Sequence, residues 1–182
     1  MSRISIPAVE QSVEASKPLL AAVQKSLGLT PNLMKVVGHS PAALEGYLAL
    51  SGATGKGKLT AQLRERIALA VAEYNGCDYC LSAHDYLGAN VAKLSRAELD
   101  AARNGHSEDA QVKAALHFAL QVAKARGRVS DADLAAVRLA GFDEAAVVEI
   151  VVNVALNVLT NYINNVAQTD IDFPQIKAKL AA

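Results

Sequence analysis

Glu65-Arg66-Ile67-Ala68-Leu69-Ala70-Val71-Ala72-Glu73-Tyr74-Asn75-Gly76-Cys77-Asp78-Tyr79-Cys80-Leu81-Ser82-Ala83-His84 is the stretch that decides how this chain is read. Both cysteines of the protein lie in it, and a histidine stands four residues after the second. The segment from about Ala61 to Tyr74 has the form of a helix with Thr60 as its N-cap. Every residue from Ile67 to Ala72 is apolar, so this helix is expected to be buried on most sides. Asn75-Gly76 marks a stop, because glycine enters the left-handed conformation that ends helices. A second helix is expected from about Cys77 to about Val91.

On that second helix Cys77 and Cys80 sit at i, i+3, close enough for a disulfide. Cys80 and His84 sit at i, i+4 and face each other, whereas Cys77 lies two turns from His84, on the order of 10 Å. Leu81, Leu87 and Gly88 share the thiol side, and Asp78, Ser82 and Asp85 mark the expected wet side. If the two helices fold back at Asn75-Gly76, Glu65 comes level with residues 84–86. A proton relay of Glu65, His84 and Cys80, direct or through water, then becomes geometrically possible. Glu73 is the rival carboxylate, nearer the turn and expected to be solvated. Two effects compete to activate a thiol. The helix N-terminus favours Cys77, and a basic partner within hydrogen-bond reach favours Cys80. Spacing leaves that choice open.

Glu65, eleven residues, Cys77-x-x-Cys80, three residues and His84 together resemble the motif of the alkyl hydroperoxidase D family, part of the carboxymuconolactone decarboxylase-like superfamily. The similarity extends over about Leu29 to Pro174. It takes in Pro31-Asn32-Leu33, His39-Ser40-Pro41, Thr160-Asn161-Tyr162 and Asp172-Phe173-Pro174, pieces that resemble the peroxidase-related branch. The resemblance implies an all-α fold and a thiol peroxidase. Cys80 would be the peroxidatic thiol, Cys77 the resolving thiol, and Glu65 with His84 the proton relay. It also implies a homo-oligomer, trimer or hexamer, and a dithiol reductant; the founding enzymes take electrons from a lipoyl group on a partner protein. Those enzymes carry a histidine just before the second cysteine, where this chain has Tyr79.

The remaining sequence is read as scaffold, with residues 1–182 expected to form one multi-helix domain around the hairpin. A hydrophobic share of 52% allows a large core and leaves apolar surface for subunit contacts. With 18 basic and 18 acidic residues there is no basic stripe, so no nucleic-acid partner is expected. No signal sequence and no uninterrupted apolar span are evident, and a soluble cytoplasmic protein without a membrane partner is the expectation. In that compartment a lone CxxC points to catalysis or metal binding rather than to a structural staple.

Further helices are expected from Pro18 to Leu27, from Thr30-Pro31 to Gly38, and from Ser40-Pro41 to about Leu50. Gly52 to Gly57 is read as a flexible connection. Ser95 to Glu98 has the form of a capping box for a helix ending at Asn104-Gly105. Ser107 is read as the cap of a helix to about Arg126, Ser130 or Asp131 as the start of the next, and Asp143 as the start of the longest, to Ala167.

The alternatives weighed for the thiol pair are a thiol–disulfide oxidoreductase or redox sensor, and a zinc-binding assembly protein with Cys77, Cys80 and His84 as ligands. A decarboxylase, the superfamily's other named activity, gives the cysteine pair no task. No cofactor and no resident metal are called for by the favoured reading. Asn153, Asn157, Asn161, Asn164 and Gln168 form one amide stripe, read as interhelical hydrogen bonding or as a polar pocket wall. His117 is read as a core or interface residue, His39 as helix-terminus packing, His106 as solvated, and Arg64 and Arg66 as solvated or interfacial.

Overall fold

The computed structural model describes residues 2–179. Among them the fold is all helical, with nine α-helices preceded by two short 3-10 turns, Val9–Gln11 and Glu14–Ser16. The helices are α1 (Lys17–Leu27), α2 (Asn32–Val37), α3 (Pro41–Thr54), α4 (Ala61–Tyr74), α5 (Asp78–Asn90), α6 (Arg96–Arg103), α7 (Ala110–Lys124), α8 (Asp131–Leu139) and α9 (Glu144–Ala167).

Most boundaries follow from local chemistry. The Oγ1 of Thr60 accepts from the Leu63 backbone N–H and caps α4. Ser95 and Glu98 form a reciprocal capping box on α6, and Ser130 and Asp133 do so on α8. The structure moves two expected boundaries. Asp109, not Ser107, caps α7, since its carboxylate reaches two backbone N–H groups, Gln111 and Val112. Helix α3 runs on to Thr54, through Gly52, so the connection before α4 is shorter than expected.

Helix α4 is the axis of the packing. Every residue from Ile67 to Glu73 is buried, and α4 packs against α5, α6, α7 and α9. Its Leu69 and Ala72 belong to one apolar cluster with Leu20, Leu44, Leu81 and Leu99. Its Leu63, Ile67 and Val71 belong to a second with Leu116, Val137 and Ile150. The unbroken apolar run of α4 is therefore needed on both faces.

By length and hydropathy alone α9 is able to cross a membrane. Here it is a core helix, in contact with α3, α4, α5, α7 and α8 and with its asparagine row turned inward. Gly76, at a φ of 61°, makes the left-handed turn between α4 and α5. Gly88 lets α5 approach α6, because a Cβ there would lie 2.6 Å from Leu99 Cδ2.

Candidate active site

Helix α5 begins on its own sulfur. Cys77 is the N-cap, and its Sγ accepts from the Cys80 backbone N–H at 3.2 Å. One turn on, Cys80 is bonded to Cys77 in a disulfide with a Cα–Cα distance of 5.3 Å. The structure is thus of the oxidised pair. Both cysteines are buried, Cys77 fully and Cys80 all but 3%.

The expected fold-back holds. His84 Nδ1 lies 2.8 Å from Glu65 Oε2, and both side chains are about four-fifths buried. An ionised carboxylate only accepts, so in this arrangement Nδ1 carries the hydrogen and Nε2 is left as the base. Neither Arg64 nor Arg66 shares in that contact. Arg64 Nη1 donates to the Leu59 carbonyl, and Arg66 pairs with Glu98 on α6.

The i, i+4 expectation for Cys80 is met differently. The hydrogen-bond donor on its sulfur is Asn164 Nδ2 of α9, at 3.3 Å, because the imidazole is turned toward Glu65. His84 and Tyr47 line two cavities. One, of about 450 Å³, is walled largely by apolar groups, among them Leu33, Met34, Tyr79 and Phe173. The other, of about 230 Å³, is polar and includes Glu65, Asn157 and Thr160. Burial raises the Tyr47 phenol above its ordinary range, and the Glu65 charge adds to this. A third cavity, of about 400 Å³, is lined by Gly76, Asp78, Tyr79, Asn164 and Thr169, residues flanking the thiol pair.

Several expectations need correction. Glu73 is not solvated. It is buried in an ion pair with Arg103, Nη2 to Oε2 at 2.7 Å, and it also accepts from the Lys179 backbone N–H at 2.5 Å. Ser82 is fully buried, not on a wet side. The cause in both cases is the segment after α9, which returns across α5. Ser82 Oγ accepts from Ile176 N, Asp78 accepts from Ala178 N, and Arg103 Nη2 donates to the Lys177 carbonyl.

Tyr79 anchors the same segment. Its OH donates to Asp172 Oδ1 at 2.8 Å and accepts from Leu33 N at 3.1 Å, and its ring meets Phe173 edge-on. Burial, with the Asp172 charge adding, holds this phenol protonated far above the ordinary tyrosine range. Tyr79, which stands where the founding enzymes of the resembled family carry a histidine, is therefore an anchor for the segment that follows α9. No local pattern announces this, since the partner lies 93 residues away.

Of the amide stripe, Asn153, Asn157, Asn161 and Asn164 are buried, whereas Gln168 is the exposed C-cap of α9. Asn153 and Asn157 donate back to carbonyls one turn earlier, and Asn161 Oδ1 accepts from Asn75 Nδ2. His117 is exposed and pairs with Asp133 rather than lying in the core. His39 ties down the N-terminal segment through the Ser5 carbonyl. His106 is half exposed beside Glu108. The ligand set weighed for zinc is not assembled: the two sulfurs are bonded to each other and His84 is held by Glu65.

An all-helical domain whose central hairpin carries a redox-capable CxxC and a buried Glu–His pair defines a class of thiol-bearing helical proteins. Residues 41–125, from α3 through α7 and including all four motif residues, match the model of the Carboxymuconolactone decarboxylase family. Over that stretch this chain is similar to that family, and its fold is that of alkylhydroperoxidase D-like proteins.

Among solved structures, it is similar to the alkylhydroperoxidase AhpD core of an uncharacterized peroxidase-related protein from Ralstonia eutropha JMP134. The two share 27% identity at a TM-score of 0.84, over 94% of this chain and 92% of that one. An uncharacterized peroxidase-related protein from Silicibacter sp. TM1040 shares the fold at 21% identity and a TM-score of 0.81, over 93% and 91%. The debrominase Bmp8, in complex with 2,3,4-tribromopyrrole, shares it at 19% and 0.76, over 92% and 94%. No curated protein sequence matches the chain significantly.

Proposed function

We propose that this protein is a thiol-dependent peroxidase of antioxidant type, with Cys80 as the attacking thiol and Cys77 as the resolving thiol. The observation that carries the reading is the pairing of Cys77 with Cys80 at the start of α5, one turn before a histidine hydrogen-bonded to Glu65. In the reduced protein, His84 Nε2 takes the Cys80 proton through an intervening water, with Glu65 holding the ring. The Cys80 thiolate attacks the hydroperoxide. The O–O bond breaks, an S–O bond forms, and the departing alkoxide takes the proton to leave as alcohol. Cys77 then displaces water from the sulfenic acid and forms the disulfide seen here. An external dithiol restores both thiols, itself becoming a disulfide. Two buried sulfurs require that the covering segments move before that reductant reaches either of them.

A thiol–disulfide oxidoreductase is the second reading, supported by the same pair. The debrominase named above extends the fold to chemistry on a halogenated pyrrole, and it makes that ring class a third substrate to test.

The experiment is steady-state turnover of an organic hydroperoxide, a model disulfide and a bromopyrrole, each with a dithiol reductant. Peroxide consumption well above the other two supports the proposal. A faster model-disulfide reaction replaces it with the second reading, and one tightly held zinc per freshly purified chain overturns both.

A further inference from the structure

Asn164 differs from the other buried asparagines of α9. Asn153 and Asn157 donate to their own helix, and Asn161 meets another amide. Asn164 Nδ2 donates instead to the Cys80 sulfur at 3.3 Å, across the helix packing. The residue is 3% exposed, and among the described residues its buried Oδ1 has no hydrogen-bond partner, as is also true of Asn161 Nδ2. A buried amide oxygen left unpaired is costly, so its occurrence in a packed core calls for a physical reason. A disulfide sulfur accepts weakly and offers no hydrogen. A reduced Cys80 changes the first of these in favour of ionisation, because the thiolate is a strong acceptor for Nδ2–H. A thiol hydrogen on Oδ1 would instead hold the neutral form, so the Nδ2 contact is the one that bears on the thiolate.

We propose that Asn164 is a positioning residue for the redox pair, one that favours the reduced and ionised state of Cys80. This rests on Cys80 being the attacking thiol. It supplies what the hairpin alone lacks, since the N-terminus of α5 acts on Cys77, the N-cap, and the imidazole is turned to Glu65. The ionisable groups on the elements around the pair include His84 with Glu65, Tyr79 with Asp172, Tyr47, Asp78, Asp85 with Arg96, Tyr86, and the Glu73–Arg103 pair. Only the neutral amide of Asn164 reaches the Cys80 sulfur by a side-chain hydrogen bond among the described residues.

The test is the thiolate pKa of Cys80, read from thiolate absorbance against pH in a Cys77→Ser background. Asn164→Leu keeps the branching of the side chain and removes both hydrogen-bonding groups. It is expected to raise that pKa by about one to two pH units. With both cysteines present, it is expected to move the equilibrium with glutathione toward disulfide by about tenfold.

Asn164→Ala serves if the leucine variant does not fold. Asn161→Ala, one turn earlier on the same row, is expected to leave the pKa in place. An unmoved pKa in the Asn164 variants overturns the proposal, and so does an equal shift from Asn161→Ala. These readouts need no peroxide. A protein with no peroxide turnover but a shifted pKa would sink the peroxidase reading and leave this one standing.

Discussion

At the residue scale the account turns on the contact between Glu65 and His84. General acid–base groups of this kind contribute on the order of 10²–10⁴-fold. His84→Ala and Glu65→Gln are each expected to lower kcat/KM for hydroperoxide by about 10²-fold or more. The double variant should lose much less than the product of the two, because the pair acts as a unit. Stopped-flow oxidation of the reduced protein measures this, and multiplicative losses would separate the two residues. The Glu65–His84 contact was legible in the sequence, since two helices joined at a glycine stop place residues equally far from the turn at one level. Asn164 and Tyr79 as partners of the thiol region were not. Each meets its neighbour across more than 80 residues, and an asparagine row on an apolar helix fits a pocket wall as well as a sulfur ligand.

At the scale of elements, the segment after α9 covers residues that the sequence marks as solvated. Its backbone groups pair with Asp78, Ser82, Glu73 and Arg103, so residues that look solvated on a helical wheel are covered. Periodicity cannot reveal a non-helical segment that satisfies its N–H groups on side chains elsewhere. Arg103→Ala strips the buried Glu73 carboxylate of its charge partner. It is expected to cost about 3–5 kcal/mol, measurable by urea unfolding. It should also speed reduction of the disulfide by a dithiol, because the Lys177 carbonyl loses its anchor. A loss within a few tenths of a kcal/mol would show the pair to be dispensable.

The helix caps respond to acid. Backbone and hydroxyl hydrogen bonds from Ser95 hold Glu98 below its ordinary value, and Ser130 does the same for Asp133. A depressed carboxylate adds stability above its unfolded value, and that stability disappears as the pH falls through the folded value. The melting temperature is therefore expected to fall as the pH drops below about 4.5, the ordinary value for Glu98. In Glu98→Gln the fall should be smaller. An identical acid profile in the two proteins would remove Glu98 from this role.

At the scale of the whole molecule, α9 leaves Val148, Val151, Leu159, Tyr162 and Val166 exposed along one side, at helical spacing. Contiguous exposed apolar residues of this kind mark interaction surfaces. A homo-oligomer is the expected consequence. Val166→Lys together with Tyr162→Lys should lower the mass seen by light scattering, and a wild-type monomer would refute the expectation.

The central claim is the division of labour between two buried sulfurs, and single-turnover trapping tests it most directly. Reduced Cys77→Ser protein, given one equivalent of hydroperoxide, should form one sulfenic acid, located at Cys80 by mass spectrometry of the trapped adduct, and then stall. Reduced Cys80→Ser protein should consume none. A sulfenic acid on Cys77 at a comparable rate, or no oxidation in either variant, would contradict the account.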